Sequence, residues 1–222
     1  MKQAQQDEKN IAGMSAKRGQ IYQILINIFM CLPDEKFRNY LYSPEFQSFL
    51  ERQKELQYPI ITKGIGLITG FLKETMNVDI VEQIEVLAVD RTRLIRVPHA
   101  TGLKAPYESQ YQKEKKTSSS MLRITNLYRK AGFIPVDAKE SVDFFCVELD
   151  FMRVLSEQIA KEPSKTSFLF SIQKTFLEEH LGKWIGEYAE NATAYAETDF
   201  YRGCLMVLQG FIEIEKMYLK TF

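Results

Sequence analysis

The residues best suited to recognise a charged partner lie between positions 106 and 111. Pro106 restricts its own backbone, so Glu108 and Ser109 follow from an extended or turn conformation. Tyr107 and Tyr111 supply amphipathic contact surface, and the Glu108 carboxylate can accept two hydrogen bonds from one guanidinium group. The segment therefore suits a cationic, partly apolar peptide.

Ion pairs within the chain are an alternative explanation for the same residues. Asp90 and Arg93 are three positions apart and would lie on one side of a helix. Either Asp90 or Glu108 could pair with Arg93 or Arg96. On local chemistry alone, this alternative is favoured over peptide recognition.

A second acidic set begins at Glu140 and includes Asp143 and Glu148. On a helix these carboxylates approach one face, while Phe144 and Phe151 belong to another. A solvated acidic face and a binding surface are about equally good interpretations of this pattern.

Neither metal chemistry nor nucleophilic catalysis is indicated. The chain has two histidines, His99 and His180, and neither has a second histidine three or four residues away. We interpret Glu178, Glu179 and His180 as a partly exposed helix face. No serine or cysteine is evidently paired with a histidine, so we expect no catalytic residue, no bound metal and no enzymatic activity.

Three glycines, Gly64, Gly66 and Gly70, resemble a dinucleotide fingerprint only weakly, because the third glycine is one position late and no strand precedes the group. No phosphate-binding loop of the GxxxxGK[ST] type occurs. We expect these glycines to let a neighbouring helix approach closely.

The charge balance excludes several classes of partner. Lys+Arg and Asp+Glu both number 29, so no overall positive field favours nucleic acid.

The three cysteines are widely separated, which favours a reducing compartment. Residues 1–10 contain no apolar core of a secretion signal, and no apolar run reaches the ~20 residues of a membrane span. We expect a cytoplasmic protein without stable membrane insertion, with residues 1–10 flexible.

Apolar residues recur at helical spacing between seven prolines. Helix starts are expected at Asp34 and at Ser43-Pro44, and a helix end at Gly132. Helices are predicted near residues 21–32, 60–76, 79–97, 119–131 and 140–160, with two long helices after Pro163. Residues 98–119 are predicted to form a long functional loop. The expected fold is all-α, a single-domain bundle of about eight to ten helices over residues 1–222.

Five blocks of sequence, in the same order, resemble the TorD/DmsD family of cytoplasmic chaperones for molybdenum enzymes, which is related to the NarJ type. The resemblance covers most of the chain from about Ile21 onward. The family's D-Y-x-R-L-F run corresponds to Asp90 with Thr92-Arg93-Leu94, and its P-Y-E-S-x-Y run to residues 106–111. Its E-L-E-F-M run corresponds to residues 148–152. Its F-L-x-x-H-L-x-x-W run corresponds to residues 176–184, and its later F-Y pair to Phe200-Tyr201.

The sequence departs from the family pattern in two regions. The family's E-P-x-D-H run corresponds here to residues 140–144, where Ser141 and Phe144 replace the proline and the histidine. Contact with a guanine nucleotide or with the molybdenum cofactor is therefore unsupported, and we expect no bound cofactor. Arg91 replaces the usual aromatic residue after Asp90, so local contacts there should differ.

The resemblance implies a chaperone that binds the twin-arginine signal peptide of a molybdopterin oxidoreductase and assists cofactor insertion before export. Asp90, Glu108 and Asp143 would face the arginines, and Tyr107 and Tyr111 would line the groove. Further peptide-binding candidates are Arg93, Pro106, Ser109, Glu140 and Glu148, and His180 and Trp184 have structural or binding roles.

Two other functions remain open at this point. One is a NarJ-like chaperone that acts mainly on the mature catalytic subunit, and the other is a nucleotide-binding or nucleotide-hydrolysing protein. A monomer and a domain-swapped dimer are both compatible with a helical bundle that has long loops.

Overall fold

The computed structural model describes residues 2–97, 102–112, 117–135 and 140–222. These residues form eleven α-helices and one short 3₁₀ helix, and their one isolated β-bridge joins Tyr107 to Phe144. The all-α prediction is confirmed, with slightly more helices than the expected eight to ten. The helices are α1 (Lys2–Met30), α2 (Glu35–Leu41), α3 (Pro44–Lys54), α4 (Pro59–Thr75), α5 (Ile80–Ile95), α6 (Glu108–Tyr111), α7 (Thr117–Lys130), α8 (Phe145–Lys161), the 3₁₀ helix (Pro163–Lys165), α9 (Thr166–Glu179), α10 (Leu181–Tyr195) and α11 (Asp199–Leu219).

The helix boundaries predicted from short polar residues and glycine are confirmed. Asp34 caps α2 by accepting a 2.7 Å hydrogen bond from the backbone N–H of Phe37. Ser43 caps α3, whose first residue is Pro44. Gly132 follows α7 with a φ of +70°, a left-handed conformation that glycine adopts at little cost.

The helix predicted from Glu140 begins only at Phe145. Before it, the Ser141 hydroxyl donates a hydrogen bond to the Asp143 carboxylate. Such local side-chain bonds compete with helix formation, so the predicted helical face of Glu140, Asp143 and Glu148 does not form.

The prediction of two long helices after Pro163 is also wrong, because the described chain there contains α9, α10 and α11. The first break is at His180, whose φ of −127° and ψ of −107° are not helical. The second precedes α11, where Asp90 accepts hydrogen bonds from the backbone N–H groups of Glu197 and Thr198. Neither break carries a proline, and a long-range contact is present at each: His180 lies 3.1 Å from Glu108, and Asp90 accepts from the residues before α11.

Two compact units can be distinguished in the chain. The first unit comprises Met1–Asn27, Tyr107–Ile185 and Glu215–Phe222, and the second comprises Ile28–Pro106 and Gly186–Ile214. The single-domain organisation stays a prediction. None of the helices among the described residues combines the length and apolarity needed to cross a membrane.

The core of the first unit is aromatic. The Phe151 ring lies 4.6 Å from Tyr128 and 4.8 Å from Phe176, measured between ring centroids. A buried ion pair accompanies it, in which Arg18 Nε donates to Glu215 over 2.6 Å. Aromatic packing thus joins α7, α8 and α9, while the ion pair joins α1 to α11 within this unit.

The second unit depends on close approach of α4 and α11. A Cβ atom at Gly64 would lie 2.7 Å from the Gly203 carbonyl oxygen, and a Cβ atom at Gly203 would meet the Gly64 carbonyl oxygen in turn. The expected close approach therefore holds for Gly64. It does not hold for Gly66 or Gly70, where an added Cβ would meet nothing within 4 Å.

We predict that Gly203→Ala lowers the free energy of unfolding by about 1–3 kcal/mol, because two helix backbones would have to separate. Gly66→Ala is the matched control and should raise it by about 0.5–1 kcal/mol, since alanine is the better helix former. Urea denaturation followed by circular dichroism measures both changes. Equal effects of the two substitutions would contradict the packing of α4 against α11.

Candidate functional site

Residues 107–111 are attached to the turn that precedes α8. The backbone N–H of Glu108 donates to the Asp143 carbonyl oxygen over 2.9 Å, and that of Ser109 donates to the Asp143 carboxylate over 3.1 Å. The Tyr107 ring lies 5.4 Å from the Phe144 ring. Asp143 therefore positions α6 through both its backbone and its side chain.

Glu108 is the centre of a buried hydrogen-bond network in the first unit. Its side chain accepts hydrogen bonds from the Ser120 hydroxyl at 2.6 Å and from Gln112 Nε2 at 2.5 Å, and His180 Nδ1 lies 3.1 Å away. Burial acts to raise the pKa of Glu108, but the hydrogen bonds from His180, Ser120 and Gln112 outweigh it, so the pKa lies below its usual value. Glu108 is therefore an ionised carboxylate inside the protein.

The pKa of Glu148, in the same cluster, is shifted in the opposite direction from that of Glu108. It is completely buried, and it accepts one hydrogen bond of 3.1 Å from Trp184 Nε1, while its Oε1 atom has no hydrogen-bond partner among the described residues. Burial raises the pKa of Glu148 well above its usual value, and the neighbouring charges of Glu108 and Asp143 raise it further. The cluster thus holds one ionised carboxylate beside one carboxyl group that favours its neutral form.

His180 and Trp184 form the wall of this cluster. His180 is fully buried, which corrects the expectation of a partly exposed helix face, and its Nε2 atom has no hydrogen-bond partner among the described residues. The Trp184 ring lies 5.2 Å from the Tyr111 ring. The sequence interpretation missed Ser120 and Gln112, because isolated polar residues beside a loop give no signal of their role.

Asp90, Arg93 and Pro106 belong to the second unit, so they are not in the same unit as the Glu108 cluster. Asp90 accepts four hydrogen bonds from Glu197 and Thr198, and its carboxylate lies 3.6 Å from Arg93. Arg93 also pairs with Glu197. The ion-pair interpretation is therefore correct for Asp90 with Arg93, whereas Glu108 bonds to His180 instead of an arginine.

Arg91 has a structural role that its sequence position did not reveal. Its guanidinium group donates to the carbonyl oxygens of Phe29 at 2.8 Å and Met30 at 2.6 Å, the last two residues of α1. These carbonyls lack partners within their own helix, so a cation there stabilises the helix end. The departure from the family pattern at this position thus supplies a helix cap.

Burial separates the predicted peptide-binding residues into two groups. Asp90, Glu108, Asp143 and Glu148 are at most 3% exposed, whereas Tyr107, Ser109, Glu140 and Arg93 are half-buried. Residues 98–101 and 113–116 of the predicted loop 98–119 lie outside the described residues. Among the described side chains, no group of three or more His, Cys, Asp or Glu residues is arranged to hold a metal ion.

We predict that Glu148→Gln makes the protein relatively more stable as the pH rises. Because the folded-state pKa of Glu148 is raised, its contribution to stability is complete below the unfolded-state pKa and is lost as the pH rises through the folded-state pKa. Between the unfolded-state pKa and the folded-state pKa the wild type should lose about 1.4 kcal/mol per pH unit relative to the variant, and above the folded-state pKa the difference should be constant. Glutamine keeps the acceptor for Trp184 and cannot ionise.

Denaturant unfolding of both proteins between about pH 5 and 8.5 tests this prediction, since tyrosines ordinarily titrate above that range. Glu179→Gln, at an exposed position in α9, is the control and should follow the wild type. A constant stability difference between wild type and Glu148→Gln across the range would show that Glu148 does not titrate as the geometry requires.

The sequence has recognisable relatives. Residues 62–190, more than half of the chain, match the family described as nitrate reductase delta subunit. Over 95% of its length the chain is 26% identical to the Chaperone protein TorD of Vibrio parahaemolyticus serotype O3:K6 (strain RIMD 2210633), of which it covers 98%. No solved structure matches the chain. The matched range includes Asp90, Glu108 and His180, and the chain belongs to the nitrate reductase delta subunit family.

Proposed function

We propose that this chain is a maturation chaperone of the cytoplasm, which binds the twin-arginine signal peptide of a molybdopterin oxidoreductase and assists cofactor insertion before export. The observation that carries the proposal is the 26% identity to a TorD chaperone over nearly the full length of both chains. Family membership supports a role in the assembly of a redox enzyme.

The half-buried residues around α6 suit the first encounter with such a peptide. Glu140 offers a carboxylate, and the Tyr107 ring offers an amphipathic surface for the apolar flank of the leader. Ser109 adds a hydroxyl group on the same helix as Glu108. Charge and apolar surface together are what a leader with paired arginines requires.

A direct bond from a leader arginine to Glu108 requires residues 107–111 to open. Glu108 is 3% exposed and already has Ser120, Gln112 and His180 as partners, so a guanidinium group would have to replace some of them. Two hydrogen bonds to Asp143 hold the one-turn helix α6 in place, and these would break during opening. The proposal therefore couples peptide binding to movement of this short segment.

We predict that Glu108→Gln weakens binding of the leader peptide by about 1–3 kcal/mol, the usual contribution of a hydrogen bond to a charged group. Isothermal titration calorimetry at two salt concentrations measures the affinity and its electrostatic part. Glu179→Gln is the matched control, since it removes the same charge from an exposed position.

Thermal denaturation of both variants checks that folding is intact. Glu108 can act through its charge or by holding residues 107–111 in place. Ser120→Ala distinguishes these two roles, because it removes a hydrogen-bond donor to Glu108 and leaves the Glu108 charge. If Glu108 acts by holding the segment, Ser120→Ala also changes the affinity. Unchanged affinity and salt dependence in Glu108→Gln would refute any role of Glu108 in peptide binding.

The mature catalytic subunit is a second candidate target, favoured by the family's description as a nitrate reductase delta subunit. We predict that the chain retains a carrier protein fused to the twin-arginine leader more strongly than the leaderless client in a pull-down. A carrier with both arginines changed to lysine is the control. Stronger retention of the leaderless client would assign the chain to assembly of the mature subunit.

A further inference from the structure

A cavity of about 250 Å³ lies in the first unit, where the ends of α9, α10 and α11 meet. Its apolar lining comes from Leu177 and Leu219, each 2% exposed. Four lysines and one glutamate surround this apolar lining, so the cavity combines positive charge with a small apolar surface. None of these residues is assigned to the binding of the leader peptide.

One of the four lysines has a described hydrogen-bond partner within the chain. Lys216 donates a hydrogen bond to the Gly182 carbonyl oxygen. Lys174, Lys183 and Lys220 form no ion pair with the other described residues, although Glu178 lines the same cavity. Lys174 is half-buried and Lys183 and Lys220 are exposed, so three like charges line one cavity.

The position of Lys183 at the start of a helix favours the binding of an anion. It lies in the first turn of the fifteen-residue helix α10, the end at which the helix dipole is positive. A lysine there is electrostatically unfavourable, and carboxylates are the residues that usually stabilise such an end. An anion beside Lys183 would compensate this lysine and the start of α10, whereas Lys216 and Lys220 lie at the C-terminal end of α11, where the helix dipole favours cations.

Lysine side chains are compatible with a phosphate group. A lysine ammonium group is a compact charge with three rotatable donors, and it binds phosphate as a point charge without the fixed geometry of the arginine fork. The volume lies just below the usual range of ligand pockets, about 300–1,000 Å³, so the ligand is small. The leucines can cover an apolar part of it.

We propose that this cavity binds a small phosphate-bearing molecule, with the phosphate between Lys174, Lys183 and Lys220 and an apolar group against Leu177 and Leu219. The proposal does not depend on binding of the leader peptide. A phosphate group on a membrane lipid has the same chemistry, and the experiment distinguishes the two sources.

Calorimetry with phenyl phosphate, inorganic phosphate and phenol tests the two parts of the cavity separately. Phenyl phosphate should bind at least ten-fold more tightly than either of the others, because only it offers both the charge and the apolar ring. Lys183→Ala should weaken its binding at least five-fold. Lys63→Ala, which changes an exposed lysine of α4 in the second unit, should leave it unchanged.

Lys183 is exposed, so its substitution should leave folding intact, which thermal denaturation verifies. Binding of phenyl phosphate no tighter than that of phenol, or equal binding by Lys183→Ala and wild type, would overturn the proposal. Flotation with phosphatidic acid vesicles is the second arm, and no retention is expected. Retention on vesicles without binding of phenyl phosphate would assign the lysines to a membrane surface and reject the small ligand.

Discussion

An ionised carboxylate in the interior of the first unit needs partners, and Glu108 has three that come from different parts of the chain. Gln112 follows α6, Ser120 belongs to α7, and His180 ends α9. Removing a charge from water costs several kcal/mol unless hydrogen bonds replace the lost hydration. The positions of these three elements are therefore constrained together by one side chain.

The need of a buried charge for partners also explains why Glu148 favours its protonated form. A second full charge beside Glu108 would have no cation of comparable proximity to balance it, since the one described donor to Glu148 is the neutral indole of Trp184. Burial and the two neighbouring carboxylates therefore raise the pKa of Glu148, while the hydrogen bonds around Glu108 lower the pKa of that group. The pKa values of the two groups are therefore shifted in opposite directions although they share one cluster.

Local sequence signals predicted the parts of the fold that local physics determines. Asp34, Ser43 and Gly132 mark helix ends because their side chains or backbone conformations act within a few residues. The break at His180 and the start of α11 were missed, since the bonds that favour them come from residues about seventy and one hundred positions away. No window of sequence contains both partners of such a bond.

The roles of residues in the candidate site could likewise not be predicted from residue types alone. Residue types singled out Asp90 and Glu108 as groups that attract guanidinium, and the structure places both in the interior with partners from the chain itself. A carboxylate that recognises a cationic peptide and one that holds a loop look the same in a sequence, because both need the same donors. Only burial distinguishes them, and burial depends on the whole fold.

In the proposed recognition of the leader peptide, the burial of Glu108 changes the energetics of binding. A solvent-exposed carboxylate exchanges water for an arginine, whereas Glu108 would exchange Gln112, Ser120 or His180 for one. Each displaced donor must then find water or another acceptor, or the gain from the new bond is lost. Gln112 and Ser120 lie beside the one-turn helix α6, where opening disrupts few backbone hydrogen bonds. His180 is fully buried and its ring lies 5.4 Å from the Phe176 ring, so an arginine that reached Glu108 would replace the first two partners and keep the third.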